Sequence, residues 1–185
     1  MPQKVCNQAR RHILKGLGAA TLLSPLSSFP AWAAKPHRLY VDGLSFLPTD
    51  INDVKASKLD AFIADISAVE TIEQADGTKN YKRTYQACIN SIKQAADSVI
   101  ANPDVYLQGL TGTDISKART QQKTAVFFQI QGADCVEDDG LSNEWRQLDN
   151  LHQQGLRVLQ LTHHYGNRYA GGALDNNGLN SLNTP

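Results

Sequence analysis

Groups able to bind, polarise or accept protons fall at or near the ends of four apolar runs in this chain. Gln131 closes the run TAVFFQIQ, and His163 and His164 close LRVLQLTHH. Asp65 lies near the end of LDAFIADIS, and Asp42 precedes Gly43 in RLYVDGL. A histidine at a strand end can donate to a substrate carbonyl or move a proton, and an aspartate can act as base or metal ligand. Each residue also has a plain structural use. A strand-end histidine is satisfied by a backbone carbonyl, a buried glutamine tidies main-chain hydrogen bonds, and an aspartate caps the next element or pairs with arginine. Strand alternation sends His164 to the face opposite His163, so one of the two points at a shared site.

These residues need a scaffold that gathers strand ends. The runs Arg38–Leu44, Leu59–Ser67, Thr124–Gly132 and Leu156–Thr162 read as strands, apolar on both faces. Between them, Tyr81, Tyr85, Cys88, Ile89, Ile92, Ala96 and Val99 recur every three or four residues, which predicts a helix with one apolar face that stops at Asn102-Pro103. Thr113 caps a short helix reaching Arg119, and Leu141, Trp145, Leu148 and Leu151 mark another that ends before Gly155. DGTKNY, from Asp76 to Tyr81, reads as a turn cluster. Doubly apolar strands separated by helices make a parallel sheet covered by helices, and the carboxyl edge of such a sheet is its chemical edge. The expected class is α/β, about four parallel strands with covering helices: a small open sheet or the first half of a β/α barrel.

The amino-terminal residues read as an address rather than as fold. Arg10-Arg11 is followed by an apolar Gly/Ala/Leu-rich run from Gly16 to Leu26 and by Ala31-Trp32-Ala33, a small-x-small cleavage pattern. That order describes a twin-arginine export signal over residues 1–33, cut near Ala33 or Ala34, with the product delivered to the periplasm. Ser24 and Pro25 interrupt the apolar run, which is too short for a permanent membrane span. Loss of Lys4, Arg10, Arg11 and Lys15, with no acid, turns 18 basic against 18 acidic residues into 14 against 18, a net of −4. Nucleic acid and anionic membrane surfaces require a basic face, so neither is an expected partner. Tyr81, Tyr85 and Trp145 read as core or rim aromatics rather than a base-stacking platform. Cys88 and Cys135 remain in a compartment that permits disulfides, and read as two unpaired, partly buried thiols. Glu137-Asp138-Asp139 is a solvated helix start, without the ligand spacing of a calcium loop. Residues from Gly171 to Pro185 read as a loop.

Three stretches resemble the membrane (renal-type) dipeptidase family of zinc metallopeptidases. They are Asp42-Gly43 with Leu47-Pro48, Ile130-Gln131-Gly132, and Gly155-Leu156-Arg157-Val158-Leu159-Gln160-Leu161-Thr162-His163. The resemblance implies a TIM-like, metallo-dependent hydrolase barrel that hydrolyses dipeptides or related small amides with a hydroxide held between two zinc ions. On the same grounds residues 34–185 form the amino-terminal part of that barrel, since a single barrel takes about 250 residues. The resemblance implies that His163 binds substrate, with Asn167 and Tyr169 shaping the pocket, and that Gln131 stands at the place of a zinc-bridging glutamate. Leu44 and Phe46 occupy the places of two further zinc ligands, so the chain itself is expected to bind no zinc.

Three readings compete on this sequence. One is a periplasmic hydrolase of dipeptide-like substrates. The second is a pseudoenzyme that keeps the pocket around His163 and Gln131 without zinc chemistry. The third is a truncated half-barrel whose unpaired sheet edges invite association, a homodimer among the outcomes.

Overall fold

The computed structural model describes residues 38–73, 75–137 and 141–174. The chain divides into two units, Met1–Arg38 and Leu39–Pro185. All of the first unit but Arg38, including the export signal and its cleavage pattern, lies outside the described residues, as do residues 175–185 of the loop.

Among the described residues, seven strands and four helices follow in order: β1 (Val41–Ser45), α1 (Ile51–Ser57), β2 (Ala61–Asp65), β3 (Glu70–Glu73), β4 (Lys79–Lys82), α2 (Tyr85–Ile100), β5 (Tyr106–Gln108), α3 (Thr113–Thr120), β6 (Thr124–Ile130), α4 (Leu141–Gln153) and β7 (Leu156–Leu159). A 3₁₀ turn, Ala133–Val136, follows β6. The main sheet is parallel throughout, in the order β1-β2-β6-β5 with β7 also on β6. Two strands share one edge of β6. β5 runs along Thr124–Val126, and β7 pairs from Phe128 to Ile130.

Alternation along the central pair explains the two apolar layers. Phe62, Ala64, Ile66, Val126, Phe128 and Ile130 pack with Cys88, Ile89 and Ile92 of α2 and Leu151 of α4. The other parity, Ala61 and Ala125 with Phe127, meets Ala118 and Ile115 of α3. β6 is buried at every position but Phe127, as expected for a strand with helices on both faces. Helix α2 starts where Thr84 accepts a hydrogen bond from the Ala87 N–H at 3.1 Å, and it presents Ala87, Cys88, Ile89, Ile92, Ala95 and Val99 to the sheet. Gly155 turns α4 into β7 at φ +113°, in the left-handed region, and a Cβ there would lie 2.3 Å from the Gln108 amide nitrogen.

All four expected strands are present in the parallel sheet, with shifted ends, and so are the three expected helices, two read from apolar spacing and the third opening at Thr113 with Gly112, not Thr113, at its cap. Other expectations are corrected. Tyr81 does not open the long helix; it lies in β4 of an antiparallel β3–β4 hairpin and is 57% exposed. Residues 79–80 of the expected turn cluster are already strand, and the turn itself is fastened by Asp76, which accepts from the Thr78 N–H at 2.9 Å. Asp42 stands second in β1 rather than at its carboxyl end. Helix α1, capped by Asp50 on the Asn52 N–H, carries a single buried residue, Val54, and therefore has almost no periodicity to read. β7 ends at Leu159, three residues short of the expected Thr162. No helix among the described residues is long and apolar enough to cross a membrane.

Candidate functional site at the carboxyl strand ends

β2 and β6 run in register from Ala61–Ala125 to Asp65–Gln129, so their polar ends emerge side by side. The Asp65 carboxylate accepts from the Ser67 N–H at 3.0 Å and from the Ser67 hydroxyl at 2.6 Å. Ser67 Oγ in turn accepts from the Gln131 N–H at 2.7 Å. Asp65 therefore fixes the serine that fixes the main chain at Gln131, which is itself buried. The next residue, Gly132, leaves room for an ion pair. A Cβ there would lie 2.3 Å from Asp134 Oδ1 and 2.9 Å from Arg83 Nη1. The two groups face each other at 3.6 Å, and Asp134 Oδ2 accepts from the Arg83 N–H at 2.9 Å. Arg83 Nε is buried and has no hydrogen-bond partner among the described residues.

The histidines lie in a bend beyond β7, joined to the strand ends by the Ala133 N–H, which donates to Leu161 O at 3.0 Å. Alternation does not apply in a bend. The expected opposite orientation of His163 and His164 is replaced by ring contact, centroids 3.9 Å apart and planes at 46°. His163 is half-buried and His164 exposed. Their carbonyls accept from Ala173 and Leu174 N–H groups at 2.9 and 2.7 Å, which closes the segment on itself.

Asn167 and Tyr169 take different places. The Asn167 amide nitrogen donates to Leu161 O at 2.6 Å, while its oxygen accepts from the Tyr169 and Ala170 N–H groups at 2.9 and 3.2 Å. Both ends of that amide hold the loop. Tyr169 lines an apolar cavity of about 150 Å³ with Val136, Trp145, Leu148 and Leu161, between α4 and the end of β7. Burial first, then the neighbouring Glu144 carboxylate, pushes its hydroxyl pKa up to about 12. Glu144 is buried and paired with Arg168, whose N–H donates to Glu137 Oε1 at 2.7 Å. Glu137 also meets Lys82 of the hairpin at 3.1 Å. A chain of charges thus straps the histidine-bearing segment to α4, to the turn after β6 and to β4.

The family description "Membrane dipeptidase (Peptidase family M19)" matches residues 37–184. The chain belongs to the membrane dipeptidase family. Two solved structures share its fold, both from Pseudomonas aeruginosa. An amidohydrolase superposes with a TM-score of 0.60 at 21% identity, over 74% of this chain and 38% of the other. The probable dipeptidase PvdM superposes with a TM-score of 0.51 at 17% identity, over 72% and 36%. The chain therefore spans little more than a third of either relative, and its parallel sheet with helices is that part of a β/α barrel. No curated protein matches the sequence.

Membership makes zinc the metal to test against these side chains. Leu44 and Phe46 are hydrocarbon and stand 53% and 66% exposed. Gln131, the residue expected at the place of a bridging carboxylate, offers a neutral amide that brings no charge to balance two dications. Among the described residues no three His, Cys, Asp or Glu side chains gather as a metal-binding group. The residues at these three positions do not fit the dipeptidase zinc pair. The sequence reading overlooked Ser67, Arg83, Asp134, Glu144 and Arg168. Asp65-x-Ser67 carries a local turn pattern that could have been read. The ion pairs join residues 24 and 51 positions apart and leave no local trace.

Proposed function

We propose that this dipeptidase-family chain serves recognition of dipeptides or related small amides, and that it binds them without zinc-dependent hydrolysis of its own. The observation that carries this reading is Gln131. It is held by Ser67 at the sheet's carboxyl edge, in the place where the family resemblance puts a bridging carboxylate. His163, half-buried in the strapped segment beyond β7, is the substrate-holding group, with Gln131 facing the ligand's amide. The ligand is small and carries its own donors and acceptors, which suits an edge built from amide, imidazole and carboxylate.

Thermal unfolding of the purified chain with alanylalanine, with and without a chelator, tests the reading. The dipeptide raises the midpoint equally in both conditions, releases no free alanine, and loses its effect in His163→Ala. Chelator-sensitive cleavage of the dipeptide, or an unchanged shift in His163→Ala, overturns it. Export by the twin-arginine route to the periplasm, with cleavage near Ala33, belongs to the same proposal. So does a homodimer through the edge strand β1, supported by Tyr40, Val41 and Leu44, which are 58%, 47% and 53% exposed. Sedimentation at rising concentration measures the dimer, and a monomer at every concentration refutes it.

A further inference from the structure

Cys88 and Cys135 lie 47 positions apart in sequence and meet in the core. Cys88 is on the sheet-facing side of α2, Cys135 is in the 3₁₀ turn after β6, and both are fully buried without a disulfide. This corrects the expectation of partly buried thiols. Both belong to one buried core cluster, and the two thiols lie close enough to act on each other's ionisation. Asp134 and Arg83 lie close enough to act on both sulfurs through their charges. Cysteine alone packs like any small apolar residue, but two neighbouring thiols in one core are also the two halves of a covalent link.

We propose that Cys88 and Cys135 are a disulfide-forming pair whose closure clamps α2 to the turn that follows Gln131. The oxidant is a small-molecule disulfide of the glutathione type. The thiolate of one cysteine attacks one glutathione sulfur and expels the other as a thiolate. The thiolate of the second cysteine then attacks the cysteine sulfur of the mixed disulfide and expels the second glutathione. Two electrons pass from the protein thiols to the glutathione disulfide, and the two thiol protons end on the two glutathiones. Both sulfurs are sealed from solvent in the folded chain, so exchange runs while α2 or the turn is still undocked. The bond therefore closes during folding and is slow to form or break afterwards.

The test is to unfold and reduce the full chain, refold it in a glutathione redox buffer, alkylate residual thiols and digest without reduction. Trypsin releases Cys88 in the peptide spanning residues 84–93 and Cys135 in that spanning 124–146. The expected product is these two peptides joined, with a melting midpoint roughly 5 °C or more above that of the reduced protein. Dithiothreitol added before unfolding leaves the linked form largely intact; added during unfolding it removes the gain. Both peptides recovered separately, alkylated or glutathionylated, or joined to the Cys6 peptide instead of to each other, overturn the proposal. Cys88→Ala provides the second check. Its midpoint is indifferent to dithiothreitol, and a persisting dithiothreitol-sensitive gain in that variant refutes the pairing.

Discussion

Tyr169 shows how a residue chosen for one role is placed for another. Its ring closes the apolar cavity beside α4, and its hydroxyl sits against the Glu144 carboxylate, so ionisation is disfavoured in the folded chain. A phenol with a raised folded pKa leaves stability unchanged below its unfolded value near 10. Stability then falls as pH rises from about 10 through about 12, where the unfolded chain has lost a proton that the folded chain keeps. Tyr169→Phe is expected to flatten that fall, read as melting midpoint against pH beside the tyrosinate absorbance titration; parallel curves for the two proteins would contradict it. At this scale strand-end position singled out Gln131 and His163, the family resemblance added Asn167 and Tyr169, and the structure gives them different surroundings. Gln131 lies on the polar strand edge, while Asn167 is committed to backbone at both ends. Arg83 was not readable, because its partner Asp134 stands 51 positions away in sequence.

Element by element, α2 is what binds the sheet's outer layer together. Ile92 is 1% exposed amid Phe62, Phe128 and Ile130 of the same cluster. Ile92→Ala is expected to cost about 2–5 kcal/mol, as for other large-to-small changes in close-packed cores, measured by denaturant unfolding. A cost below about 1 kcal/mol would show that α2 is not packed in this way. The helix was legible because Cys88, Ile89, Ile92 and Val99 repeat at helical spacing, and all four are buried. The β3–β4 hairpin was not, since its strands are four residues each and largely polar, so alternation had little to act on. The expected end of β7 failed for a related reason. The apolar run continues through Leu161, but pairing to β6 closes with the Gln160 N–H on Ile130 O, after which the Ala133 N–H takes Leu161 O into the turn.

For the molecule as a whole, the parallel sheet and its covering helices followed from doubly apolar strands, while the shared edge of β6 was invisible to pattern, because β5 is only three residues long. Delivery is the property that belongs to the intact chain. Arg10→Lys with Arg11→Lys is expected to hold the protein in the cytoplasm with its amino terminus uncut, followed by cell fractionation and intact mass; unchanged processing near Ala33 would remove the export reading. The shared edge of β6 has its own consequence for the order of assembly. The contacts of β5 with β6 span under 20 residues, from Tyr106↔Thr124 to Gln108↔Val126, whereas Phe128↔Leu156 spans 28. Closing the shorter loop costs less entropy, so the first half of β6 gains its outer neighbour before the second half does. The strand end that carries Gln131 is thus the last part of the central strand to be locked, and the first to exchange its amide protons when the sheet opens locally.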